Sequence, residues 1–255
     1  MSAATLVLAY PALCAGAGER HRTSPEGPLQ VRTFVAHLAL MAKRGQRPRS
    51  VRELLDTGSP ADGDRPLALT FDDGHESHFA AYAELMRIGG AADLFVNPAM
   101  VGRRGYLSWA QLRELARHGA SVQSRGLRRL PLDGLSSREV DLELAESRRR
   151  IEDRLGKAVA LFAPPPGRLP RDLPRRAREL GYRAVCTVQP ALWDDARAAL
   201  VPRFAVHAGV TDAQLEGWLA RSPWSLVGAR ARALAQEARE RMRVRGPWPP
   251  AQVAG

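Results

Sequence analysis

Short apolar runs recur along the chain at residues 5–9, 67–71, 92–96, 120–123, 159–162, 184–188 and 201–206, each of a length that suits a buried strand. Between them the apolar positions take a helical spacing, and the start signals are specific. Ser50-Val51-Arg52-Glu53, Ser108-Trp109-Ala110-Gln111, Ser136-Ser137-Arg138-Glu139 and Thr211-Asp212-Ala213-Gln214 all fit the capping box. In that motif a hydroxyl satisfies a free helix N–H and the Glu or Gln reaches back to another. Gly119 and Gly156 stand where a helix needs a left-handed C-terminal residue. Strand and helix therefore alternate. The pattern predicts an α/β fold, an irregular (β/α) barrel of about seven parallel strands. Residues 16–28 and 57–66, rich in Gly, Pro, Ser and Asp, read as loops outside this rhythm.

The last part of the chain changes character. Residues 226–245 read as a basic helix rich in Ala, Arg and Glu, stopped by Gly246-Pro247-Trp248-Pro249-Pro250. We expect a barrel over residues 1–224 and a basic helix with a Pro-rich tail over 225–255. Such a helix either packs one face and solvates the other or binds a partner or an acidic surface.

Composition adds bounds. With 255 residues, 45% hydrophobic and 25% charged, the chain has the make-up of a globular protein with a real core. Net charge is +11, and all the basic side chains but Lys43 and Lys157 are arginine. That excess is compatible with an anionic glycan or a nucleic acid. The arginines are spread along the chain without basic-aromatic interleaving, which argues against nucleic acid. Cys14 and Cys186 have no metal-type spacing and are expected as buried thiols. No apolar run reaches membrane-spanning length. The apolar stretch before Gly18 lacks a basic leader and is broken at Tyr10-Pro11, so we read 5–9 as the first strand and a cytoplasmic location as the default.

The chemistry begins at Thr70-Phe71-Asp72-Asp73-Gly74, where an apolar strand ends in two adjacent carboxylates. Acids there suit a site better than a core: one can hold a metal while the other takes a proton from water. Leu69–Gly74 (LTFDDG), Gly105–Trp109 (GYLSW), Glu146–Glu152 with Leu155-Gly156-Lys157, and Phe162–Gly167 (FAPPPG) follow in order. Gly181–Val185 (GYRAV) and Val201–Val206 (VPRFAV) complete the series. In order and spacing these strings resemble the polysaccharide deacetylase family, the NodB-like group also called carbohydrate esterase family 4. The resemblance covers most of the chain and implies metal-dependent removal of acetyl from an N-acetylated glycan. It implies Asp72 as catalytic base, Asp73 as a ligand to zinc or another divalent ion, and a groove lined by Ala163, Pro164, Pro165, Pro166 and Gly167.

The family's other two metal ligands are histidines four apart after a Ser. The matching stretch here is Ser124-Arg125-Gly126-Leu127-Arg128-Arg129, so both positions are arginine. Arginine stays protonated and offers no lone pair. A guanidinium about 4 Å from a divalent ion repels it by roughly 8 kcal/mol at an effective dielectric of about 20. Arg125 and Arg129 are instead expected to pair with Asp72 and Asp73, replacing an ion's charge with fixed charge. The leading reading is thus a family member that binds an N-acetylated or anionic glycan without a metal cofactor, alone or beside a protein partner. The competing readings stay open: an active amide hydrolase with an altered site, or acids that only stabilise the barrel mouth. His75 and His78, three apart after the acids, are candidates for a relocated metal. His207, after the last strand, is a candidate acid for the leaving amine. Ala163 stands where the family often has Arg, so the contact that orients the base looks missing.

Overall fold

A computed structural model describes residues 4–14, 29–58, 65–165, 169–194 and 198–243. The expected loop at 16–28 and most of that at 57–66 lie outside the described residues, as does the Pro-rich tail. Among the described residues ten strands form: β1 (Leu6–Tyr10), β2 (Leu13–Cys14), β3 (Leu29–Gln30), β4 (Leu67–Phe71), β5 (Asp93–Val96), β6 (Ser121–Ser124), β7 (Leu161–Phe162), β8 (Ala184–Thr187), β9 (Leu200–Pro202) and β10 (Phe204–Ala205). The helices are α1 (Val31–Lys43), α2 (Val51–Thr57), α3 (Ser77–Arg87), α4 (Trp109–Arg117), α5 (Ser137–Leu155), α6 (Leu173–Glu179), α7 (Asp212–Leu219) and α8 (Pro223–Arg243).

Eight of the strands make one all-parallel sheet in the order β10-β1-β4-β5-β6-β7-β8-β9, and β2 pairs with β3 beside it. The run at 201–206, expected as one strand, is divided between the two ends of the sheet. β9 pairs with β8 and β10 pairs with β1, with only Arg203 between them. Chain connectivity therefore draws the two sheet edges together, and the sheet curls into a nearly closed barrel. Pro202 suits the crossing, because a residue without an N–H belongs at an edge.

Alternation along each strand sorts the side chains. Leu67, Leu69 and Phe71 of β4 join the larger apolar cluster with Leu94, Val96, Phe162 and Val185 and with helix residues such as Leu112, Leu115 and Leu144. Val7, Ala68, Phe95, Leu161, Ala163, Cys186 and Val201 form a second cluster in the barrel interior. The period of two then carries the interior row upward from Ala68 through Thr70 to Asp72, and from Val201 to Arg203.

Full capping boxes form at Ser108, Ser136 and Thr211. Ser50 accepts from the Glu53 N–H, while the Glu53 carboxylate turns to Arg49 instead. Gly156 closes α5 in the left-handed conformation at φ 64°. Buried Asp93, on β5, accepts from the N–H groups of Val51 and Arg52 at 2.6 and 3.4 Å, which ties the start of α2 to the barrel. Cys14 and Cys186 are both buried. Among the described residues no helix is long and apolar enough to cross a membrane.

Candidate active site

Asp72 and Asp73 follow β4 at the carboxyl end of the barrel, where the ends of neighbouring parallel strands converge. The Asp72 N–H bonds to the Tyr10 carbonyl at 2.9 Å, which extends the β1–β4 ladder by one residue. The chain then turns sharply. Asp73 has φ 70° and Gly74 has φ 65°, and a Cβ on Gly74 would lie 2.9 Å from Val96 Cγ1. Glycine is the residue that fits there.

Three arginines from distant parts of the chain close on the two acids. Arg203, fully buried at the β9–β10 crossing, donates from Nη1 and Nη2 to the two Asp72 oxygens at 2.8 and 3.2 Å. Its Nη1 also reaches Thr70 Oγ1 at 2.9 Å, and its guanidinium lies over the Phe95 ring at 5.2 Å. Arg125, after β6, donates from Nε to Asp73 Oδ1 at 2.9 Å and from Nη1 to the Pro164 carbonyl at 2.8 Å. Its Nη1 also stands 3.2 Å from Asp72 Oδ2. Arg129 Nη2 donates to Asp73 Oδ2 at 2.9 Å. Arg129 takes φ 57°, so both partners of this ion pair occupy left-handed backbone that non-glycine residues adopt at a cost.

Burial alone would raise the Asp73 pKa. The charges and hydrogen bonds of Arg125 and Arg129 outweigh it and hold the carboxyl down at about 2. Burial likewise works against charge on Arg125 and Arg129, and the facing carboxylates reverse that and push both upward. The cluster is sealed: Asp72, Asp73 and Arg125 are nearly fully buried, while the Arg129 side chain is 29% exposed. Arg129 is thus the member that solvent reaches. Among the described residues, three guanidiniums face the two carboxyl groups, an excess of one cationic group. Arg129 Nε is buried with no hydrogen-bond partner among the described residues.

The remaining sequence candidates separate into those near the cluster and those apart from it. Pro164 and Pro165 are buried, the Pro164 carbonyl accepts from Arg125, and Ala163 lies in the barrel interior, so these three back the cluster. Pro166 and Gly167 lie outside the described residues. His75 Nδ1 is engaged with Ser77, through Oγ at 2.8 Å and the backbone N–H at 3.2 Å. His78 is fully buried against Phe71, its Nε2 bonded to the Pro11 carbonyl at 3.1 Å, and burial lowers its pKa to about 4. His207 follows β10, half-buried, with Nδ1 accepting from the Gly209 N–H at 3.2 Å. Arg203 is the residue that sequence reasoning missed. An arginine contact to Asp72, expected to be missing at Ala163, is made by Arg203. The available signal was an arginine alone inside an apolar strand pattern, Val201-Pro202-Arg203-Phe204.

Residues 59–185 match the polysaccharide deacetylase family model. The chain is 26% identical over 175 residues to YxkH of Bacillus subtilis (strain 168), which carries a polysaccharide deacetylase name. That match covers 67% of this chain and 63% of the relative, so the chain spans less than two thirds of the relative's length. Among solved structures, the Streptococcus pyogenes deacetylase PplD, in complex with acetate, superposes with a TM-score of 0.74 at 20% identity, covering 86% of this chain and 98% of that one. IcaB from Ammonifex degensii superposes with a TM-score of 0.71 at 22% identity, covering 89% and 98%. These likenesses show the fold. The chain belongs to the polysaccharide deacetylase family.

Members of this family generally depend on a divalent metal, which here would fall to Asp73 and positions 125 and 129. The residues present do not fit one. Both Asp73 oxygens are already bonded to guanidiniums, and the two other positions present cations without a lone pair. Among the described residues, no group of three or more His, Cys, Asp or Glu side chains could hold an ion, and His75 and His78 do not complete one.

Proposed function

We propose that this chain is a carbohydrate-binding member of the polysaccharide deacetylase family that does not carry out metal-dependent deacetylation. One observation carries the reading: Arg125 and Arg129 bond to the two oxygens of Asp73, one each, at 2.9 Å. Fixed positive charge stands where family members place an ion. Its reach ends at Arg129, the most exposed member, whose buried Nε meets no acceptor among the described residues. A planar guanidinium with spare donors suits a carboxylate or an acetamido oxygen. The excess positive charge favours an anionic glycan over a neutral N-acetylated one.

A second reading, hydrolysis of the acetamido bond by an altered centre, has the Asp72–Arg203 pair in its favour, because a general base needs to be oriented. Against it, both Asp72 oxygens already face guanidinium groups, at 2.8 and 3.2 Å from Arg203 and 3.2 Å from Arg125. The test uses the parent chain and the double variant Arg125→His/Arg129→His. We measure zinc uptake by calorimetry and acetate release from N-acetylglucosamine oligomers, and binding of N-acetylated and uronate-containing oligosaccharides. The parent is expected to bind the acidic oligosaccharide, to take up no stoichiometric zinc and to release no acetate, while the variant takes up zinc. Tight zinc binding or acetate release by the parent overturns the reading.

A further inference from the structure

The helix α8 is held at its beginning and bare along one side. Leu226 and Ala229 pack against the main apolar cluster. Gly217 of α7 lets the two helices approach closely: a Cβ there would lie 2.1 Å from Ser225 Oγ and 2.7 Å from Ser225 Cβ. Arg221, at φ 58°, turns the chain between them, and its Nη2 donates to the Pro66 carbonyl at 2.6 Å. Arg65 Nη1 donates to the Ala220 carbonyl at 3.1 Å. The root of α8 is thereby fastened beside the amino end of β4, the end opposite Asp72 and Asp73.

On the other side of α8, Trp224, Val227, Ala231, Leu234 and Ala238 follow one another at alternating steps of three and four and are all exposed. That spacing lays them along one stripe. Trp224 is 87% exposed, Val227 63% and Leu234 59%. Arg230 and Arg232, one residue either side of Ala231, fall about 100° to either side of it and are both exposed. The result is an apolar stripe flanked by Arg230 on one edge and Arg232 on the other, with an indole at one end.

We propose that this stripe of α8 docks on an anionic phospholipid surface. An apolar face inserted at the headgroup level, basic side chains reaching phosphates on both edges and an interfacial tryptophan are the features that such a surface binds. A second copy of the chain fits less well. Five positions of a single helix, two of them with long apolar side chains, fall short of the roughly 800 Å² that each partner of a stable dimer buries. Arginine on both edges also sets like charge against like when two such stripes approach. The docking is independent of the glycan reading, since none of these residues touches the Asp72–Asp73 cluster.

The full chain is mixed with vesicles of phosphatidylcholine and with vesicles of phosphatidylcholine and phosphatidylglycerol in equal parts, and the bound fraction is read by sedimentation. Binding is expected on the anionic vesicles, at least about tenfold weaker on the neutral ones, and falling as salt is added. Trp224→Ser/Leu234→Ser and Arg230→Glu/Arg232→Glu each reduce it about tenfold or more, with thermal unfolding and oligosaccharide binding unchanged. Equal binding to both vesicle types, or a Trp224→Ser/Leu234→Ser chain that binds like the parent, overturns the proposal. So does a parent dimer in light scattering that the same double variant abolishes, which would assign the stripe to a second copy.

Discussion

Replacing Asp73 with Asn removes one negative charge from the sealed cluster and leaves the backbone alone, because Asn tolerates the left-handed conformation that Asp73 holds at φ 70°. Arg125 and Arg129 then face a neutral amide. Breaking a buried ion pair from one side costs about 3–5 kcal/mol, since the remaining charge loses its partner. A second magnitude follows from titration. The folded-state pKa of Asp73 is about 2, against 3.8 for the free side chain. The group therefore contributes about 2 kcal/mol that is present above the unfolded value and lost as pH falls through the folded one. The Asn variant has no such group, so its deficit relative to the parent is largest at neutral pH. Between pH 4 and pH 2 that deficit narrows by about 2 kcal/mol. Urea unfolding followed by circular dichroism, for both chains at pH 7, 5, 4, 3 and 2, measures this directly. The surface acids titrate in both chains and cancel in the difference. A variant within about 1 kcal/mol of the parent at pH 7, or a gap that does not narrow in acid, would refute the ion-paired cluster.

Two further outcomes follow from the same interior. Arg203→Met strips Asp72 of its bidentate partner and leaves a buried carboxylate with Arg125 alone, so stability at pH 7 falls by about 3–5 kcal/mol in urea unfolding; an unchanged midpoint would show that Arg203 is not needed there. Asp93 has the opposite sign: burial raises its pKa to about 7, against hydrogen bonds from Ser121 and from the N–H groups of Val51 and Arg52. Its raised folded-state value means the associated stability is present below the unfolded pKa and lost as pH rises through about 7, up to about 4 kcal/mol in all. Asp93→Asn should remove that loss while keeping an oxygen for the Val51 N–H. The check is the urea midpoint from pH 4 to pH 8, and a parent-like slope in the variant would contradict the assignment.

Local signals were legible where one short segment holds all the interacting groups. Ser108 with Gln111, Ser136 with Glu139 and Thr211 with Gln214 form the boxes that the spacing predicts, since both partners lie within one turn. The strand at Leu67–Phe71 has the bounds its apolar run suggests, because Pro66 precedes it and the acids end it. The run at 201–206, one continuous apolar stretch, forms two strands that pair with different neighbours. Hydropathy sees a continuous apolar stretch and carries no information on which neighbour each half pairs with. The same blindness hid Arg203, which lies 131 residues from Asp72 in the chain and meets it only because the barrel curls shut. Arg125 and Arg129, 52 and 56 residues from Asp73, became visible through the family resemblance and not through any local pattern.

The amino-acid sequence by itself determined the alternation of strand and helix, the helix starts, the placing of two acids at a strand end and the exchange of both ligand histidines for arginine. The first three are properties of residue type and short spacing, and the last is read through the family resemblance. Tertiary structure alone decided that Arg203 takes the place the sequence left vacant at Ala163, that the cluster carries three cations for two acids, and that Ala163, Pro164 and Pro165 stand behind it. It also decided which side of α8 is covered. The Arg203 contact depends on closing the sheet so that β9 and β10 meet across it. Such long-range closure depends on packing of the whole apolar pattern, and no segment of that pattern specifies it alone.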